Sequence, residues 1–285
     1  MTSHLLCRLC CCFALLLAPA AWAAPACTAR YPSPTTAAAM HDMAALTVDT
    51  LEALDGVDVA IAARGGQDLS RYGLRHSHLA FVVRNAAGNW EAIHLLNRCK
   101  SGVSALYREG LVNLVGESAL AAGLRVGIPT PALRAALMAL LSPLSPQARA
   151  LHHPRYSMLA WPGGDAYQNS NQWILEVLAA AMAQADGEPA LAQRRQAIDW
   201  LQQRGFAPSR LHIGVGKRLG ARFFADNIAV TDHPASERIS GNYLVVTVES
   251  VFDFLHRAGA LERELAIPRQ QPHAALLPPN QKDIE

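Results

Sequence analysis

The sequence predicts one α+β domain in which a small antiparallel sheet packs on helices. Segments with helical periodicity and segments with the length and composition of strands occur in mixed balance along the chain. Removal of an N-terminal leader would leave about 260 residues, enough for one substantial core. No internal repeat or interdomain linker divides them.

The elements follow in order. Residues 36–54 carry Met40, Met43, Leu46, Val48 and Leu51 among helix formers, an amphipathic helix that Gly56 can end. Residues 57–63, rich in valine, isoleucine and alanine, read as a buried strand closed by Gly65-Gly66. A polar loop with one helical turn covers 67–74. Segments 78–84 and 90–96 form a hairpin, whose joining Asn85-Ala86-Ala87-Gly88-Asn89 offers Gly88 for a positive φ. Residues 104–115 fit either a strand leading into a turn or a short helix. In 130–141, Pro131 suits a first helical turn and Leu133, Leu137, Leu140 and Leu141 share a face. Further helices are expected over 147–152, from Asn169/Ser170 to about Ala185, over 189–204 and over 249–257. Strand candidates are 211–215, 227–231 and 243–248. Pro268, Pro278 and Pro279 among polar residues mark a tail.

The N-terminus has the build of a secretory signal peptide. Arg8 supplies charge, residues 13–18 an apolar core, and Ala21-Trp22-Ala23 a small-x-small cleavage site. Expected boundaries are a signal over 1–23, one domain over 24–268 and a flexible tail over 269–285. The apolar run stops too early, at Pro19, for a membrane span, and no later segment could cross one. An exported, periplasmic product is expected. The leader's Cys7, Cys10, Cys11 and Cys12 leave with it, so Cys27 and Cys99 remain. In an oxidising compartment they form one disulfide; lipidation of Cys27 is the alternative, and Ala24-Pro25-Ala26 lacks the leucine that would favour it. The net charge of +2, without a basic run, gives nucleic-acid binding no electrostatic support.

Chemistry concentrates at two places. Tyr167-Gln168-Asn169-Ser170-Asn171-Gln172-Trp173 opens an apolar helix, where unpaired backbone N–H groups favour a nucleophile and developing negative charge. Upstream, Ser77-His78-Leu79-Ala80-Phe81-Val82-Val83 sets a histidine at the head of an apolar strand, and 90–94 follows as its neighbour. The order of histidine strand before nucleophile helix resembles circularly permuted papain-like hydrolases and acyltransferases. Asn169-Ser170-Asn171-Gln172-Trp173 is similar to the N-C-E-H-F motif of the lecithin–retinol acyltransferase group, with Ser170 in place of cysteine. At closer range, residues 106–111, 167–173 and 240–250 resemble a family of exported proteobacterial proteins classed as a domain of unknown function.

The papain-like resemblance implies a permuted papain-like core with Ser170 as nucleophile and His78 as base. His94, on the next strand, or Asn97 just beyond it would orient the imidazole. Asn169 or Gln172 would add an oxyanion donor, and Trp173 completes the binding set. Two functions follow. In one, the Cys-to-Ser site is degenerate and holds a peptide, lipid or peptidoglycan fragment of the cell envelope. In the other, Ser170 and His78 hydrolyse or transfer an acyl group. Serine is far less acidic than cysteine and needs concerted proton removal, which favours the first. By local rules Ser170 reads first as a helix N-cap whose hydroxyl closes the first turn. No cofactor is implied. His76-x-His78 with His94 would suit a metal, but no carboxylate or cysteine spacing completes that set. His152-His153 and Asp232-His233-Pro234 read as loop and turn formers, and Tyr107-Arg108-Glu109 as a surface salt-bridge cluster.

Overall fold

A computed structural model of the protein describes residues 31–271, apart from 67 and 100; the signal segment, Cys27 and residues 272–285 lie outside these. In chain order the helices are α1 (Pro34–Glu52), α2 (Leu111–Ala122), α3 (Pro131–Leu141), α4 (Pro146–Ala150), α5 (Ser170–Ala185), α6 (Arg194–Gln203), α7 (Val215–Phe224), α8 (Ala235–Ser240) and α9 (Val248–Arg257). The strands are β1 (Val59–Arg64), β2 (His78–Arg84), β3 (Trp90–Asn97), β4 (Ser104–Gly110), β5 (Leu124–Pro129), β6 (Ser209–His212), β7 (Asn242–Val245) and β8 (Leu261–Ile267).

A six-stranded sheet in the order β4-β3-β2-β1-β5-β8, antiparallel at every pairing, forms the middle of three layers. Strand alternation sorts its side chains. Val59, Ile61, Ala63, Leu79, Phe81, Val83, Ile93 and Leu95 share a core with α3, α5, α6 and α9. Ala60, Ala62, Ala80, Val82 and Ala92 face the other way, against α1 and α2. Burial on both faces explains why β1 and β2 read as unbroken apolar runs. The small β6–β7 sheet makes a third cluster with Leu74, Leu159, Leu211, Tyr243 and Val245. The architecture is α+β, a single domain built on an antiparallel sheet.

Several expectations need correction. Residues 104–115 are both alternatives in succession, β4 and then α2. Segment 227–231 forms no strand, because its backbone is spent on the loop before α5; Met158 N–H donates to Asn227 C=O. β5, β8, α7 and α8 were not anticipated. Gln270 N–H donates to Leu120 C=O, so residues just past Pro268 still lie against the domain.

Gly65-Gly66, after β1, lets two neighbours come close to the site. A Cβ on Gly65 would lie 2.8 Å from Ala122 Cβ, and one on Gly66 would lie 2.6 Å from Ser77 Oγ. Among the described residues no helix is long and apolar enough to cross a membrane.

Candidate active site

The site begins with an interruption of the sheet. β2 pairs with β1 from His78 to Val83, but with β3 only from Phe81, opposite Ile93. Continued in that register, Ala80 would face His94 and Leu79 would face Leu95. Instead the Leu79 N–H donates to Asn171 Oδ1 at 3.0 Å. The Asn171 carboxamide thus takes the place of a strand carbonyl, and its Nδ2 donates to the Ser77 and Val246 carbonyls. The first turn of α5 is thereby held in the fork between β2 and β3.

The helix is capped by Asn169, not by Ser170. Asn169 Oδ1 accepts from Gln172 N–H at 2.8 Å and Gln172 Oε1 from Asn169 N–H at 2.7 Å, a reciprocal capping box. This leaves the Ser170 hydroxyl, at the first helical position, free for other partners. The N–H groups of Ser170 and Asn171 take no part in the box and lie at the positive end of the helix dipole.

Those partners form a chain. Ser170 Oγ lies 3.2 Å from His78 Nδ1, His78 Nε2 lies 2.9 Å from His94 Nδ1, and His94 Nε2 lies 3.6 Å from Glu109 Oε2. The Tyr156 phenol approaches Ser170 from the other side, close enough for the serine hydroxyl to act on its ionisation. One proton order satisfies every link. A Glu109 carboxylate favours the His94 tautomer with its proton on Nε2, although 3.6 Å is beyond a direct hydrogen bond. His94 Nδ1 then accepts from His78 Nε2–H. His78 Nδ1 accepts from the Ser170 O–H.

Burial sets the charge state. His78 and His94 are 7 % and 1 % exposed. Desolvation, then the Arg64 guanidinium, hold His78 well below the ordinary histidine pKa, and the same two causes bring His94 down to about 4. Both imidazoles are therefore neutral at physiological pH, the state in which His78 can accept a proton. Burial pushes the Tyr156 phenol up to about 12, which keeps it a donor. Arg64, in register with His78, donates from Nη1 to the Gly65 carbonyl and Ser118 Oγ. Its Nε and His94 Nε2 are buried without a hydrogen-bond partner among the described residues.

The remaining candidates fall elsewhere. Asn169 Nδ2 donates to Val246 C=O and Gln172 Nε2 to Trp161 C=O, so neither carboxamide is free as an oxyanion donor. Asn97 donates to its neighbour Arg98 and lies on the opposite strand face from His94, which occupies the orienting position. Trp173 is fully buried, edge-on to Phe81, with its indole N–H on Ala148 C=O; it is core and not a ligand contact. His76 does not join His78, both of whose ring nitrogens are engaged. No group of three or more His, Cys, Asp or Glu side chains placed to hold a metal occurs among the described residues. His233 pairs with Glu237 rather than with Asp232, whose carboxylate accepts from Trp161 N–H. Of the 107–109 cluster, Arg108 bridges Glu91, whereas Glu109 approaches His94.

Sequence reasoning missed Glu109, Arg64 and Tyr156. Period-2 alternation would have placed Glu109 on the face of a strand pairing with the His94 strand, had 104–110 been read as β4. Tyr156 reaches Ser170 through the 151–169 loop and carried no sequence signal.

No curated protein and no solved structure matches the chain. Residues 50–255, a span that includes every member of the Tyr156–Ser170–His78–His94–Glu109 chain, match a bacterial family, and the protein belongs to it: the uncharacterised proteins conserved in bacteria, DUF2145.

Proposed function

We propose that the protein is an exported serine-dependent acyl hydrolase or acyltransferase acting on an amide or ester of the cell envelope. The observation that carries this reading is the hydrogen bond of Ser170 Oγ to His78 Nδ1, in a helix capped by a different residue. A serine that only closed a helical turn would not need a neutral imidazole behind it. In the proposed reaction His78 Nδ1 takes the Ser170 proton as Oγ attacks the carbonyl carbon. The carbonyl oxygen becomes an oxyanion facing the Ser170 and Asn171 N–H groups. The imidazolium gives its proton to the leaving amine or alkoxide, and water or another acceptor releases the acyl group by the same steps in reverse order. His94, and Glu109 beyond it, are positioning residues that fix the His78 tautomer.

Export rests on the signal peptide build of residues 1–23. The papain-like comparison is supported by element order, although α5 packs on the sheet face opposite to the one His78 belongs to by alternation. Treating the folded protein with a fluorophosphonate probe tests the reading. Labelling should map to Ser170 and vanish in Ser170→Ala and His78→Ala. Folded wild type that stays unlabelled would sink the proposal.

A second reading, ligand binding without turnover, is favoured by two observations. Ser170 is only 8 % exposed, and the Arg64 cation disfavours the imidazolium that acylation requires. The same site would then hold a peptide, lipid or peptidoglycan fragment uncut.

A further inference from the structure

We infer that the protein carries a second subsite, a basic cavity that takes a phosphate or carboxylate group of the molecule processed at Ser170. The inference rests on the acyl-transfer reading for the identity of that molecule, but not for the binding of the anion. The cavity, about 680 Å³, is lined by Arg71, Tyr72, Arg210, His212, Val215 and Lys217, with Gly214 and Gly216 between them. No carboxylate contributes to its wall. Among the described residues none of Arg71, Arg210 and Lys217 is ion-paired, whereas Arg84, Arg108, Arg125, Arg134, Arg195 and Arg204 each bridge an acid. The Arg71 guanidinium and the Lys217 ammonium lie 5.5 and 5.7 Å from the centre of the Tyr72 ring, so one aromatic ring engages two of the cavity's cations. Asp68 acts on Arg71 only from beyond ion-pair distance, so the like charges gathered here still repel, and an oxyanion relieves that repulsion with charge-assisted hydrogen bonds. Val215, 60 % exposed on the cavity wall, adds apolar surface beside the cations.

The cavity's elements run directly into the active site. Tyr72 and His78 are six positions apart in the chain, at most about 22 Å when extended. On the other side Leu211 of β6 pairs with Tyr243 of β7, and β7 leads to Val246, whose carbonyl accepts from Asn169 and Asn171. A substrate with an acyl bond at one end and an anionic group at the other could therefore contact both.

The test is a calorimetric and NMR titration of the full folded chain with inorganic phosphate, repeated on Arg210→Gln/Lys217→Gln. We expect saturable binding in the wild type and weakening of about tenfold or more in the double variant, as for loss of one or more charge-assisted hydrogen bonds. Fluorophosphonate labelling of Ser170 should be unchanged by the double substitution. Sedimentation with phosphatidylglycerol vesicles, against phosphatidylcholine vesicles, identifies the anion's source. Retention that the double variant loses means a lipid headgroup, and phosphate binding without retention means a soluble anion. No phosphate binding, or binding indifferent to the substitutions, overturns the subsite even if Ser170 labels. Phosphate binding by a protein that fails to label leaves the subsite standing and removes only the acyl-transfer reading.

Discussion

Ser170 and His78 meet at 3.2 Å although helix α5 packs on one face of the sheet and His78 belongs by alternation to the other. His78 shares its face with Ala80 and Ala62, yet α5 buries its apolar residues against Leu79, Phe81 and Val83. The contact is possible only because β2 and β3 part before Leu79 and the helix end enters the gap. In the arrangement that the papain-like resemblance implies, helix and imidazole share one side of the sheet. Here the fork, and Asn171 within it, replaces that arrangement.

Asn171 should therefore matter for both stability and reactivity. Asn171→Ala strands the buried Leu79 N–H, at a cost of about 1–3 kcal/mol. A urea denaturation midpoint should fall with an unchanged slope, and Ser170 labelling should slow. Asn171→Asp keeps the acceptor and loses both donated bonds, so it should fall between. Asn171→Ala as stable and as reactive as wild type would show that the helix end is held by packing alone.

The buried histidines predict a pH dependence of known sign. Their folded pKa values lie below the unfolded value of about 6.5, so the unfolded chain binds more protons in the window between them. Their contribution to stability is complete above pH ~6.5 and is lost as pH falls toward the folded value, about 4 for His94. Arg64→Met removes a cation that lowers both, so both should rise. Stability should then vary less between pH 4 and 6.5, and the acid limb of Ser170 labelling should move to higher pH. Profiles that coincide would mean that Arg64 does not act on the histidines.

What was legible in the sequence was what local rules determine. His78–Arg84 and Trp90–Asn97 announce a hairpin because both strands are buried and Gly88, with φ 83°, closes the turn. Ser170 was legible as a helix start, but its cap was misassigned by one residue, since Asn169, Ser170 and Asn171 can all cap and only tertiary partners choose among them. β8, Leu261–Ile267, escaped notice because Glu262, Arg263 and Glu264 give an edge strand the look of a solvated segment. Glu109 and Arg64 reach the site through sheet register, which one strand's sequence does not contain.

The Glu176–Arg194 pair should fix the loop that carries Tyr156. Glu176, 1 % exposed, accepts from Arg194 Nε and Nη2, each at 2.9 Å, and from Gln168 Nε2 at 2.7 Å; Arg194 Nη1 donates to Asp165 C=O. Arg194→Met would leave a buried carboxylate, which burial already biases toward its neutral form, at a cost of about 3–5 kcal/mol. Glu176→Leu/Arg194→Met should recover much of that in denaturation, because no charge is stranded. A double variant no better than the single would mean that packing, and not charge, sets the cost.

Cys27 and Cys99 should be joined by a disulfide in protein matured under oxidising conditions. Titration of the purified, leader-free protein under native, non-reducing conditions should detect no thiol. Two titratable thiols would refute the pairing, and a mass increase on an acylated Cys27 would replace it with lipidation.

Ser170→Cys separates a site from a mere coincidence of residues. A thiol there would sit at the positive end of α5, within hydrogen-bond reach of neutral His78 and near the Arg64 cation, all of which favour thiolate. Burial acts against them. If the electrostatic factors prevail, the thiol pKa falls below its reference of about 8.5 and iodoacetamide reacts rapidly at neutral pH. His78→Ala in the same background should raise that pKa again, whereas Trp173→Phe, which alters only the core side of the helix, should not. A reactive cysteine paired with a labelled wild-type serine would support acyl transfer. A reactive cysteine with an unlabelled serine would favour the binding reading, in which the scaffold activates a thiol but not a hydroxyl. A slow, unperturbed thiol would mean that helix end and imidazole do not act on each other, and both readings of the site would fall together.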